Sequence, residues 1–229
     1  MITRAWRTWI GRVLGVACAL AVLLAAPAAR AAGPIVLDGE FGDWSGRSFI
    51  SDPQGDASKS NGQGDIRALY WGTNPNDPTL YLMLEKWDEV NRPPIVYLVQ
   101  FDINNNGDYQ EAVDRQLVVI YTSNAQRSSV TVSLLNGAGV YLKTLALDEP
   151  WGDATPGGGT RCEFAVSFSD LGIVPHQAIT MRAFSDQGGS QDATAFVQIS
   201  PANALGYLLL GAAVLAAAWH MAQRRRVTV

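Results

Sequence analysis

Between residues 33 and 201 the apolar positions recur with a period of two and almost nowhere with a helical period. Leu80, Leu82 and Leu84 alternate with Tyr81, Met83 and Glu85, and Val130, Val132 and Leu134 alternate with Thr131 and Ser133. The same alternation runs through Cys162, Phe164, Val166 and Phe168, and through Ile179, Met181 and Ala183. Extended backbone sends successive side chains to opposite faces, so each segment reads as a half-buried strand. Segments 95–101 and 117–121 are apolar on both parities, which predicts central strands covered on both faces. Turn-rich pieces at 54–64, 73–78, 136–139, 152–159 and 186–192 separate these runs. Strands are expected near 35–37, 47–50, 65–72, 79–86, 95–102, 115–122, 129–135, 139–147, 161–168, 178–184 and 194–199, with a 3₁₀ turn at 169–171. Many short strands punctuated by Gly, Asn, Asp and Pro predict an all-β fold, an antiparallel sandwich of jelly-roll-like form.

The two ends follow other rules. Residues 1–32 combine Arg4, Arg7 and Arg12 with an apolar run at 13–26 and small residues at 28–32, the pattern of a secretory signal peptide. Residues 202–223 hold an almost uninterrupted apolar run at 205–222 and are expected to form one transmembrane helix. Arg224, Arg225 and Arg226 lie in the tail 224–229, which should stay cytoplasmic and leave the body, 33–201, outside the membrane. The expected address is the cell surface, with the domain exported and anchored in the cytoplasmic membrane.

Removing the ends changes the charge. Seven of the 17 basic residues lie in them, whereas all 21 acidic residues lie in the body, whose net charge is therefore −11. Such a surface argues against nucleic acid as a partner and suits cations or neutral ligands. Cys162 is the only cysteine of the body, so it forms no disulfide within it, and its place in an alternating run marks it as a small core residue.

The stretch FDINNNGDYQEAVDR, residues 101–115, lies between the two most apolar strands. Asp102, Asn104, Asn106 and Asp108 fall on alternate positions around Gly107, and Glu111 and Asp114 follow. Alternating oxygen side chains around a tight turn are how a short backbone wraps a hard cation, so calcium is the expected ligand. Glu111 or Asp114 would close the site, and Asp108 could contribute its carbonyl instead of its carboxylate. The twelfth loop position is Val113 where an EF-hand has Glu, and strands flank the loop, so the model is a β-loop site. A second acidic group, Asp52, Asp56 and Asp65, is a looser cation candidate beside the reading of solvated loop carboxylates.

Several segments, taken in order, resemble family 9 carbohydrate-binding modules and their DOMON-like relatives. They are IVLDGEFGDW (35–44), SDPQGDA (51–57), GDIRALYWG (64–72), LYLMLEKW (80–87) and CEFAVSFSDLGI (162–173). The resemblance covers essentially the whole body. It implies a β-sandwich, usually with bound calcium, and in sugar-binding members a face or loop presenting aromatic residues. It also implies that the loop runs from a strand-ending Asp102 to Asp114 at the start of the next strand. Some DOMON-like domains bind haem, for which Met83, Met181 or His176 would have to serve as axial ligands.

Stacking on a pyranose ring needs exposed flat aromatic groups with polar neighbours. Trp44 reads as core. Trp87 and Trp151 lie in polar, Pro-containing loops and are the expected platform, with Trp71 at a strand end and with Glu89 and Arg92 as polar partners. Catalysis is not expected: His176 is the body's only histidine, and no nucleophile-elbow motif is present. The sequence therefore points to a calcium-stabilised module for polysaccharide or cell-wall glycan. The alternative is a surface structural or protein-interaction domain without glycan affinity.

Overall fold

The computed structural model describes residues 33–58, 64–87, 94–155, 158–187 and 190–202. The segments expected to be a signal peptide and a transmembrane helix, the basic tail, Glu89 and Arg92 lie outside them. Among the described residues no helix is long and apolar enough to cross a membrane. All of these residues but Gly33 belong to one compact unit.

Eleven strands follow one another: β1 Ser48–Ser51, β2 Ile66–Gly72, β3 Thr79–Lys86, β4 Ile95–Asp102, β5 Arg115–Ser123, β6 Ser128–Asn136, β7 Tyr141–Glu149, β8 Arg161–Ser167, β9 Ile179–Gln187, β10 Ser190–Ala193 and β11 Val197–Ile199. They form two sheets, a smaller one in the order β1-β2-β3-β8 and a larger one in the order β10-β9-β4-β5-β6-β7, with β11 also on β9. Every pairing is antiparallel. The fold is a β-sandwich, as the alternation predicts.

One apolar core joins the inner faces. Leu80, Leu82, Leu84 and Phe164 from the smaller sheet meet Tyr97, Val99, Leu117, Val132 and Met181 from the larger, each at most 1% exposed. Burying one such side chain contributes about 1.5–3 kcal/mol, so the period-two pattern supplies the main driving force. Cys162 is fully buried here, and Trp44 is buried as expected. β4 and β5 are central, but only one face of each is fully covered. Val96, Leu98 and Val118 on the other face are half-buried and Ile120 is exposed, so apolar residues on both parities mark a central strand here without a second covering layer.

The strand expected at 35–37 is absent from both sheets. Ile35 instead exchanges two hydrogen bonds with the Asn74 side chain, its N–H donating to Oδ1 (2.7 Å) and its carbonyl accepting from Nδ2 (2.8 Å). The turn expected at 169–171 is one turn of α-helix, α1 Phe168–Leu171, capped by the Ser167 hydroxyl and closed by Gly172 in the left-handed region. The expected turn at 186–192 is largely ladder: β9 runs on to Gln187 and pairs with β10.

Three of the four sheet edges are interrupted or covered, and the fourth is β1, four residues long. β10 and β11 pair with successive halves of β9, and between them the Thr194 hydroxyl accepts the Ala183 amide (3.0 Å) that a regular ladder would satisfy with a carbonyl. β7 pairs with β6 through three register irregularities, and its Asp148 adopts a φ of 57°. Beside β8 runs the segment 151–153, in which the Trp151 carbonyl accepts the Glu163 amide and the Asp153 amide donates to Arg161. Gly152 lies against the Tyr121 ring so closely that a Cβ would fall 2.4 Å from it.

A buried carboxylate fixes the N-terminal segment. Glu163, on the outer face of β8, is fully buried. Its Oε1 accepts from the amides of Asp38 (2.9 Å) and Gly39 (2.7 Å), and its Oε2 from the Trp44 indole (2.7 Å). Desolvation raises its pKa, and the three hydrogen bonds act in the opposite direction. Gly39 has a φ of 81°, and a Cβ there would lie 2.8 Å from the Pro150 carbonyl oxygen, so the Asp-Gly pair of the LDGEFGDW stretch is a steric requirement. Ile35, Trp44 and Met83 then form a second apolar cluster outside the smaller sheet, flanked by Phe41, Tyr70 and Tyr81.

Two stability predictions follow from these contacts. Glu163→Ala strands three donors and should cost about 3 kcal/mol or more in urea unfolding. The Tyr97 hydroxyl is buried with no hydrogen-bond partner, so Tyr97→Phe should leave stability unchanged or raise it by up to about 1 kcal/mol in the same assay.

Candidate functional site

Outside the smaller sheet, strand register assembles a strip of aromatic and charged groups. Phe49 on β1 lies directly opposite Tyr70 on β2, and their rings stack with centroids 5.0 Å apart at 27°. Phe49 is 54% exposed. The Tyr70 hydroxyl donates to Glu85 Oε2 (3.2 Å), while Glu85 Oε1 takes the Arg67 guanidinium (3.1 Å). Arg67 in turn lies over the Trp87 ring, 4.9 Å from its centroid. Burial first, and the Glu85 charge second, push the Tyr70 phenol upward. Arg161 pairs with Glu85 in register and covers the Phe41 ring at 4.2 Å. Phe41, Trp44, Arg47, Phe49, Tyr70, Glu85 and Arg161 thus line a shallow groove of about 320 Å³.

The tryptophans expected as a platform are spread over different places. Trp87 is half-buried at one end of the strip, and its indole donates to the Asp52 carbonyl (3.2 Å). Trp71 is opposite Leu82 at the other end of the β2–β3 pair and packs against the main core. Trp151 also packs against that core. Met83 and Met181 are buried in two different apolar clusters. His176 holds a left-handed turn (φ 67°) whose amide donates to Pro201.

The loop between β4 and β5 is a chain of short-range hydrogen bonds among the residues expected as metal ligands. Asp102 is buried and accepts the amides of Asn106 (3.2 Å) and Gly107 (2.7 Å), one on each carboxylate oxygen. Asn104 Oδ1 accepts from Asn106 N (3.2 Å), Asn106 Oδ1 from Asp108 N (2.8 Å) and Asp108 Oδ1 from Gln110 N (2.9 Å). The Asn104 and Asn106 amide groups both donate to Glu111 Oε2 at 2.7 Å. Asp114, fully buried, accepts from Ile103 N (3.0 Å) and Glu111 N (3.2 Å). Burial raises its pKa despite these amides. Asn105 (φ 56°) ties the loop to the start of β9 through the Ala178 carbonyl and the Thr180 hydroxyl. No three of the carboxylates of Asp102, Asp108, Glu111 and Asp114 converge within 4.8 Å, and the oxygens of the turn are engaged by the loop's own amides.

A second acidic group is tighter. Carboxylate oxygens of Asp52, Asp56 and Asp192 lie within 4.8 Å of one another, the only such convergence of three or more His, Cys, Asp or Glu among the described residues. Asp52 is 7% exposed, and its Oδ2 has no hydrogen-bond partner. Burial first, then the charges of Asp192 and Asp56, push its pKa up to about 7. Asp192 accepts from Ile66 N (2.7 Å) and from its neighbour Ala193 N (2.8 Å). Asp65, the third residue expected in this group from sequence, stands beside it: its Oδ2 accepts from Gly55 N (2.7 Å), and its charge adds to the pressure on Asp52. Lys86 is buried at the adjoining end of β3.

No protein-family model, curated protein or solved structure matches this chain.

Sequence reasoning missed Asp192, Glu163, Phe49 and Tyr70. Asp192 is 126 residues from the amide it caps, and nothing local marks it. Glu163 stands on the polar parity of an alternating strand, where a solvated residue is the default. The Phe49–Tyr70 pair becomes visible only once the β1–β2 register is known. For the loop, Asp114→Ala should cost about 2–3 kcal/mol in denaturant unfolding even in chelator, because it strands the buried amides of Ile103 and Glu111.

Proposed function

We propose that this domain is a non-catalytic binding module for carbohydrate, held at the cell surface. The observation that carries the reading is the exposed Phe49 ring stacked on Tyr70, in a groove bordered by Arg47, Glu85 and Arg161. A flat apolar ring can cover the C–H face of a pyranose, while the surrounding charged groups exchange hydrogen bonds with its hydroxyls. Trp87 extends the platform, and Glu89 and Arg92, in the segment that follows it, are the proposed polar partners there. Trp71 and Trp151, also expected in the platform, support it from the core side. Calcium at Asp102, Asn104, Asn106, Asp108, Glu111 and Asp114 would act as a structural staple, stabilising the folded loop by mass action.

The remaining parts of the proposal rest on the sequence. A signal peptide at 1–32 exports the chain, a helix at 202–223 anchors it in the cytoplasmic membrane, and the tail 224–229 stays inside. Polysaccharide or cell-wall glycan is the proposed partner. The charge of the body disfavours nucleic acid.

A second reading is a surface structural or interaction domain without glycan affinity. It is favoured by the packing of Trp71 and Trp151 against the core, which leaves the groove shallow. A glycan array with and without calcium separates the two. The first reading expects binding that Phe49→Ala and Tyr70→Ala each weaken about tenfold, roughly 1.4 kcal/mol. Phe49→Ala should do so with a melting temperature close to wild type, since the residue is more than half exposed. Absence of binding to every glycan leaves the second reading. Binding that survives both substitutions would move the platform elsewhere.

A further inference from the structure

We infer that Asp52, Asp56 and Asp192 form a cation site, suited to calcium, that ties the loop after β1 to the edge strand β10. The site is separate from the 102–114 loop and does not depend on glycan binding. Asp52 and Asp56 follow the smaller sheet's edge strand, and Asp192 lies on the edge of the larger sheet, so a shared ion would link the two sheets at one end of the sandwich.

Convergence of carboxylates alone would not establish a site. The deciding observation is that Asp52 is more than nine-tenths buried and keeps an oxygen, Oδ2, without a hydrogen-bond partner. A buried carboxylate oxygen with no donor, beside two further carboxylates within 4.8 Å, is a costly arrangement that a divalent cation neutralises. Asp192 is held in place by the amides of Ile66 and Ala193, and so presents its carboxylate from a fixed position. Asp56 is exposed, which leaves the cluster open to an ion arriving from solvent. The donors are all oxygens with no His or Cys among them, which selects a hard cation over zinc or copper. Calcium tolerates the irregular geometry of a loop better than magnesium, which demands a near-ideal octahedron.

Trp87 offers a local reporter, since its indole donates to the Asp52 carbonyl. Terbium, a luminescent stand-in for calcium, should emit when the indole band of the full-length protein is excited, and calcium should displace it. Asp52→Asn and Asp192→Asn should lose that emission, whereas Asp108→Asn, in the other loop, should retain it. In thermal melts, calcium about a hundredfold above its Kd should raise the wild-type midpoint by roughly 5–10 °C. Asp52→Asn relieves the charge crowding, so in chelator it should melt at or above the wild type and gain less than the wild type from calcium. Should that variant fold poorly, the exposed Asp56→Asn serves instead and should weaken terbium binding at least tenfold. Wild-type protein without terbium emission, or emission unchanged in Asp52→Asn, Asp56→Asn and Asp192→Asn, would overturn the inference.

Discussion

The carboxylate of Glu163 is the contact on which the outer half of this sandwich depends. It is shut away from water and receives two backbone amides and one indole, all from the segment 38–44. Burial disfavours its charge, and the three donors oppose that penalty. The arrangement is therefore cooperative, since a carboxylate held by fewer donors would be buried at a loss. Because it holds, the segment lies flat over β3 and β8, Trp44 closes the second apolar cluster, and Phe41 forms one wall of the groove. A residue on the polar parity of a strand thus organises the groove, which it reaches through the Trp44 indole.

The two acidic regions solve the problem of crowded charge differently. In the 102–114 loop Asp102, Asn104, Asn106, Asp108 and Asp114 each accept at least one backbone amide, so the turn is shaped by its own contacts. Around Asp52 the amides go to the neighbours, Asp192 and Asp65, and Asp52 Oδ2 receives none. The first region is organised by its own sequence, the second by the meeting of three distant segments.

How much was legible in the sequence divides along the same line. Strands whose inward residues are apolar announced themselves, from Leu80–Leu82–Leu84 to Ile179–Met181–Ala183, because burial is periodic in extended backbone. β10 did not, since Ser190, Gln191 and Asp192 carry no apolar alternation and are extended only because β9 is beside them. Ile35–Val36–Leu37 looked like a strand but found the Asn74 side chain in place of a ladder partner. The oxygen spacing of the 102–114 loop was readable because its contacts are local. The Asp52 cluster was seen only in part, with Asp65 standing in for Asp192. Where the tryptophans pack was not legible, because a large ring in a polar loop can still fold down onto the core, as Trp151 does. A phenylalanine on a four-residue edge strand can meanwhile remain outside, as Phe49 does.

The treatment of the sheet edges has a further consequence. β7 presents Tyr141, Leu142 and Leu147 to solvent, which on a flat ribbon would template the strand of another molecule. Three register breaks and the left-handed turn at Asp148 twist its backbone away from a regular ladder, and the Lys143–Asp170 ion pair pins it to α1. The far edge of the same sheet is split between β10 and β11, and β8 in the other sheet is masked by residues 151–153. Along these three edges neighbouring copies packed at high density would therefore meet through their side chains, and β1, the fourth edge, is only four residues long. The domain is built to tolerate crowding.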